Sequence, residues 1–374
     1  MDNSTWDVVS LTSDLVKIPS ESQQSNLEIT DFIQERLEGL GFTCERLEYT
    51  DYNGVNKANL VAKIGAGEGG FGIFGHSDTV PGMAGEWQPF EPVLEGNRLI
   101  GRGACDMKGP LAASLVALSQ LPKAGLRNPL YFVVSADEEM HYTGAYHIRD
   151  HSQILAESWP HSGLIIEPTR LRPVYAHKGG VRIRVMAEGV AAHTSTGKGI
   201  SANFLIAPFL AEMAELAERF KTDERFMNHE FEPPHNAFNM VLDDGGCAPN
   251  VTAARTVCTM SLRPMPDDHH EEAIQLIRDA AEKYDLACGA ISFPVVYTDP
   301  ESEVVRAAVE ATGAARPETV PFGTEAAIYD DTCELVILGP GDIAQAHTIG
   351  EWIDTNQLRT AVDIYEKMVR RFCL

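Results

Sequence analysis

Five stretches of this chain end on residue types that bind divalent metal, each just after an apolar run or a glycine-rich turn. His76 and Asp78 stand two apart in GHSDTVPG, directly after Phe71-Gly72-Ile73-Phe74. Asp106 sits in GRGACDMKG, Glu138 and Glu139 close LYFVVSADEE, Glu167 follows GLII, and His347 ends LGPGDIAQAH. A single histidine or acidic pair at a strand end is most simply a cap or a solvated turn. Caps do not explain the recurrence of such residues at successive strand ends. Two histidines with several carboxylates make a ligand set for two ions, and a mixed shell of this kind suits zinc, with cobalt or manganese as substitutes. Asp78 is suited to holding the His76 ring in its ligating tautomer. Of the paired glutamates, one can bind metal while the other activates water. Such a pair of ions lowers the pKa of a water and polarises a carbonyl, which is the chemistry of amide hydrolysis.

These residues converge only if they share one end of a sheet. In an open α/β sheet, ligands collect beyond the carboxyl ends of the strands. The hydrophobic spacing predicts a helix over 5–40, with Ile29, Phe32, Ile33, Leu37 and Leu40 on one face before Gly41 ends it. It also predicts strands over 60–64, 71–74, 130–134 and 164–166, and helices over 111–121 and 145–155. The run Gly65 to Gly70 reads as a hairpin turn. It is no phosphate loop, because it precedes a strand and carries Glu68. Strands alternating with helices predict an α/β fold with a largely parallel sheet flanked by helices.

From about Tyr175 the texture changes. Apolar and basic residues alternate over 181–185, as in a sheet with one wet face. A helix over 202–220, strands near 237–241 and 257–263, and a helix near 271–284 follow, in the order of a ferredoxin-like α+β unit. After Tyr297 the earlier pattern returns, with a helix from Glu303, a strand over 335–338 and a helix over 356–372. The chain therefore reads as a catalytic α/β domain in two parts, 1–174 and 297–374, interrupted by an inserted domain over 175–296.

The bulk composition is consistent with this. A length of 374 residues with 44% hydrophobic content supports two cores. The net charge of −24 disfavours nucleic acid and anionic membrane as partners. Seven scattered cysteines, none in a CxxC pair, argue against a disulfide framework and a thiolate zinc site. With no signal-like leader and no membrane-length apolar run, a soluble cytoplasmic protein is expected.

The motifs GHSDTVPG, GRGACDMKG, ADEE, IEPT and GPG…AH together resemble those of the di-zinc aminoacylase and exopeptidase family, which includes carboxypeptidase G, succinyl-diaminopimelate desuccinylase and acetylornithine deacetylase. The similarity covers nearly the whole chain, the inserted domain included. It implies a zinc-exopeptidase-like fold, with two zinc ions held by His76 and Glu167 on one side and Glu139 and His347 on the other. It further implies Asp106 as the bridge, Glu138 as general base, Asp78 as support for His76, and a cis peptide between Asp106 and Met107. The inserted domain of this family closes over the site as a lid and mediates a homodimer. His193 in AAHTS matches a histidine that stabilises the oxyanion, Asn250 and Arg263 match residues that grip a substrate carboxylate, and Gly323 and Thr324 match a substrate-binding loop.

The stretches IIEPTRLRPVYAHKG and FGTEAAIYDDTCELVILGPGDIAQAH are most similar to the deacetylase branch that acts on N2-acetyl-L-ornithine. The expected substrate is thus a small N-acyl amino acid. Glu325 is a candidate partner for a substrate ammonium. A desuccinylase, a dipeptidase or another deacylase of the same family would share every metal ligand. A metal-binding scaffold without catalysis is disfavoured because Glu138, which no metal needs, stands beside a full ligand set. Cys105 is expected to pack rather than ligate, and His269-His270 to be solvated.

Overall fold

The most apolar runs form the middle of a mixed sheet in a computed structural model that describes residues 6–83, 85, 87–122 and 125–374. Leu130–Ser135, Phe71–His76, Ser162–Ile165 and Glu334–Ile337 lie side by side in that order and run parallel. The first three are buried at every residue, as strands covered on both faces must be. Antiparallel strands extend the sheet, with Asn56–Ile64 and then Thr43–Thr50 beyond Leu130–Ser135, and Val174–His177 beside Glu334–Ile337. Helices Val8–Val16, Lys108–Ser119 and Thr355–Cys373 pack on one another, and Leu27–Leu40 packs on Asn56–Ile64. This is the expected α/β fold class, with parallel pairing confined to the middle of the sheet. Among the described residues, no helix is long and apolar enough to cross a membrane.

Three local expectations are corrected. The helix expected over 5–40 is two helices, Val8–Val16 and Leu27–Leu40, and its first residue, Thr5, lies outside the described residues. Pro19 disfavours helical backbone at Ile18. The chain beyond it runs beside the His76 loop instead, with Thr79 donating its N–H to the Ser20 carbonyl at 3.0 Å and Ser22 donating to the Thr79 carbonyl at 2.9 Å. The glycine run at 65–70 is not a hairpin, because Leu130–Ser135 lies between the two strands it joins. Gly70 has φ +88° there, and a Cβ would meet the Pro129 carbonyl oxygen at 2.0 Å, so only glycine fits. The helix expected over 145–155 is broken at Ser152, whose hydroxyl accepts the Leu155 N–H and caps a second short helix.

A second compact unit comprises Ala176–Tyr297 with Thr319–Gly323. Its four strands lie in the order Ala287–Phe293, Gly180–Glu188, Arg255–Leu262, Asn239–Asp243, all antiparallel. With helices Ala202–Thr222 and His270–Lys283 this is the ferredoxin-like arrangement. Val181, Ile183 and Val185 point into a core with Phe209, Met213 and Ile277, while Arg182 and Arg184 point out.

Close packing beneath the paired glutamates makes one glycine sensitive. A Cβ on Gly144 would meet the Ala136 carbonyl oxygen at 2.0 Å and Asn59 Oδ1 at 2.6 Å. Gly144→Ala is expected to destabilise the protein by roughly 1–3 kcal/mol, read as a lower urea midpoint. An unchanged midpoint would contradict this packing.

Candidate metal centre

Parallel pairing brings the carboxyl ends of three strands to one edge. His76 is the last residue of Phe71–His76, Glu138 and Glu139 follow Leu130–Ser135, and Glu167 follows Ser162–Ile165. Asp106 precedes helix Lys108–Ser119, and its peptide bond to Met107 is cis, as the resemblance implies. His347 lies beyond Glu334–Ile337 with a positive φ of 61°.

The side chains converge on Asp106. Its Oδ1 is 3.1 Å from His76 Nε2 and its Oδ2 is 3.2 Å from His347 Nε2. Glu167 Oε1 lies 3.6 Å from His76 Nε2, and Glu139 Oε1 lies 2.8 Å from His347 Nε2. Potential ligand atoms of His76, Asp106 and Glu167 all lie within 4.8 Å of one another, and so do those of Asp106, Glu139 and His347. Two triads of nitrogen and carboxylate oxygen donors sharing one aspartate could hold two divalent ions.

The electrostatics call for cations. Burial raises the Glu138 and Glu167 carboxyls well above their ordinary range, reinforced by neighbouring carboxylates and only partly offset by His76. Burial alone would lower His76, but Asp106 and Asp78 outweigh it and hold the imidazole well above its usual value. Asp106, although buried, is pulled down by His347 and His76. Hydrogen bonds to Asp106 and Glu139 push His347 up to about 10. A cation among these carboxylates would offset their mutual repulsion.

Residues 72–371 match peptidase family M20/M25/M40. The chain is 35% identical to an acetylornithine deacetylase of Myxococcus xanthus, aligned over 96% of both chains. This chain belongs to peptidase family M20/M25/M40. As a member it is a metal-dependent hydrolase of amide bonds. Solved structures share its fold. An M20 family metallo-carboxypeptidase from Sulfolobus solfataricus matches with a TM-score of 0.77 at 18% identity over 99% of both chains. A dinuclear metal binding peptidase of the M20 family from Bacillus subtilis matches with a TM-score of 0.63 at 15% identity, over 97% of this chain and 96% of that one.

In this family member Asp78 does more than face His76. The ring's Nδ1 is 3.0 Å from the Asp78 carbonyl oxygen and 3.6 Å from its carboxylate. The carboxylate accepts the Glu138 and Glu139 N–H groups at 3.0 and 3.3 Å and the Ser22 hydroxyl at 2.7 Å. One buried aspartate therefore anchors a histidine and both glutamates. Asp137, left-handed at φ 53°, is held by Lys57 Nζ at 2.7 Å and by the Tyr49 hydroxyl at 2.8 Å. Lys57 also donates to the Ser22 and Gln24 carbonyls, both at 2.7 Å. None of Ser22, Tyr49, Lys57 and Asp137 stands out in the sequence, because their partners come from distant strands and loops. Cys105 directs Sγ at the Asp342 carbonyl, 3.4 Å away, and takes no part in the cluster. His269 is exposed and His270 bonds Asp268, outside the cluster.

His193, Asn250, Arg263 and Gly323 belong to the second unit. His193 is exposed, and its Nδ1 accepts the Ser195 N–H at 3.3 Å with Ser195 Oγ at 2.7 Å. Its loop adjoins that of Asn250, whose carbonyl accepts the Thr194 N–H at 3.0 Å. Arg263 is exposed and makes no ion pair among the described residues. In the first unit, Thr324 Oγ1 accepts the Ala326 N–H at 3.2 Å.

Glu325, the candidate partner for a substrate ammonium, lies inside the first unit. It is wholly buried, its Oε2 accepts the Ser135 hydroxyl at 2.6 Å, and its Oε1 has no hydrogen-bond partner among the described residues. Burial pushes its pKa up to about 7 from 4.5, although the Ser135 hydrogen bond and His76 oppose this. Between those values the folded chain binds a proton that the unfolded chain releases, so stability is intact below the window and falls as pH rises through it. Glu325→Gln keeps an acceptor for Ser135 and removes the charge. The metal-free variant is expected to gain at most about 3 kcal/mol over the parent above pH 7 and little near pH 4.5. Equal gains in urea midpoint at both pH values would refute the buried-charge account.

Proposed function

We propose that this family member removes the acyl group from an N-acyl amino acid, converting N2-acetyl-L-ornithine and water to L-ornithine and acetate. The observation that carries the chemistry is the pair of donor triads sharing Asp106 with the buried Glu138 beside them. The substrate assignment is supported by the similarity to the Myxococcus xanthus acetylornithine deacetylase across nearly the whole of both chains.

His76 and Glu167 would hold one ion, Glu139 and His347 the other, and Asp106 both. Zinc is the ion proposed, with cobalt or manganese as substitutes, and the dinuclear Bacillus subtilis relative supports the count. When bound, the ions supply Lewis acidity that makes a water nucleophilic near neutral pH and polarises the amide carbonyl. Glu138 takes the proton of the attacking water and returns it to the nitrogen as the carbon–nitrogen bond breaks. Glu138 belongs to neither donor triad, which leaves its carboxylate to act as base and then as acid. Asp78 keeps Glu138 aimed through its backbone N–H.

The second unit would act as lid and dimerisation domain. Because the Ser195 N–H donates to Nδ1 of His193, the neutral ring carries its proton on Nε2, as an oxyanion donor must. Arg263 and Asn250 would grip the substrate carboxylate, with Gly323 and Thr324 in the substrate-binding loop. A homodimer is supported by Phe204, 83% exposed on its helix, and by Val241, 61% exposed on the edge strand Asn239–Asp243.

Amine release should be measured on N2-acetyl-L-ornithine, N-succinyl-diaminopimelate and a simple dipeptide with zinc- or cobalt-loaded protein. Acetylornithine is expected to have the highest kcat/KM, and preference for another substrate would replace the assignment. Glu138→Ala is expected to lower kcat by about 10²–10⁴-fold with metal content unchanged; wild-type turnover would remove Glu138 as the base. Phe204→Asp should convert the dimer to a monomer in light scattering. A monomeric parent would overturn the dimer proposal.

A further inference from the structure

We infer that Glu351 is a positioning residue that sets the placement of Asp106 between the two histidines, acting through the backbone of the Asp106 loop and not by touching a metal. This rests on the ligand assignment proposed above. Glu351 belongs to neither donor triad and is wholly buried. Its Oε1 accepts two successive backbone N–H groups, those of Cys105 at 2.9 Å and Asp106 at 3.0 Å. Its Oε2 accepts from Nη1 of Arg102 at 2.7 Å, and that guanidinium is also buried. The Glu351 carbonyl accepts the Gly101 N–H at 2.8 Å. The next residue, Trp352, pairs with Ile100 in an antiparallel ladder.

Glu351 stands four residues beyond His347, and its bond to the Asp106 N–H spans 245 residues of sequence. It therefore fastens the loop that carries one histidine ligand to the loop that carries the shared aspartate. Fixing the peptide plane before Asp106 holds the Cα from which its side chain reaches, with Oδ1 toward His76 and Oδ2 toward His347. Two consecutive N–H groups converging on one anion form a concavity that a neutral side chain fills less well. A buried ion pair adds little net stability compared with apolar residues of the same shape. Partners that orient metal ligands, by contrast, commonly change affinity by about 10–100-fold.

The test uses metal uptake and needs no substrate. Metal-free wild type, Glu351→Gln and Glu351→Ala are titrated with Co²⁺ by calorimetry, the visible cobalt spectrum is followed, and urea midpoints are measured without metal. The glutamine variant retains an acceptor oxygen but turns an amide nitrogen toward Arg102 or toward the two N–H groups. It is expected to fold, to keep the first ion, and to bind the second about 10–100-fold more weakly with an altered spectrum. The alanine variant should lose more. Two ions bound by both variants with wild-type affinity and spectrum would overturn the inference while leaving the ligand assignment in place. Fewer than two ions in wild type would overturn the ligand assignment and this inference with it. Metal-free Glu351→Gln that is already unfolded without urea would make the contact structural and also end it.

Discussion

Everything else in the first unit depends on the sharing of Asp106 between His76 and His347. An aspartate gathered with Glu138, Glu139 and Glu167 inside the protein places negative charges where water cannot screen them, and such charges persist only with cations close by. The two histidines answer part of that demand, and divalent metal held as proposed would answer the rest. The geometry has to be held before the metal arrives, because four carboxylates free to move would spread apart. The rigidity of the surrounding strands and loops follows from that requirement.

Three devices supply the rigidity. Parallel strands end at one edge of the sheet and deliver His76, the paired glutamates and Glu167 together. Asp78 anchors the histidine and both glutamates through the chain around them. Lys57 pulls Asp137 and the Ser22 loop onto the same point from behind, so that the left-handed residue before Glu138 is held by a buried ion pair. Lys57 bonds two carbonyls and a carboxylate, which satisfies the ammonium in the interior.

The second unit has a different logic. Its sheet buries one face only, with apolar residues inward and arginines outward along Gly180–Glu188, and His193, Asn250 and Arg263 are exposed. These side chains are open to solvent, whereas the donor cluster of the first unit is gathered within that unit. This division suits a hydrolase whose bond-breaking chemistry is common to a family and whose acyl amino acid preference varies.

By itself the sequence determined the fold class, the ferredoxin-like order of the second unit and the residues of the donor cluster. Strand ends leave a periodic trace, and few residue types can ligate a metal, so both are local properties. The tertiary structure alone decided what those residues lean on. Pro19 breaks the first helix so that Ser20 and Ser22 can run beside the His76 loop, and the strand Leu130–Ser135 inserts where a hairpin was expected. Glu325, read only as a candidate partner for an ammonium, is buried and accepts the Ser135 hydroxyl. Glu351, unmarked by any motif, grips the Asp106 loop across 245 residues. Contacts of this kind depend on which segments the sheet order brings together, and a hydrogen bond between distant parts of the chain leaves no spacing or periodicity in either.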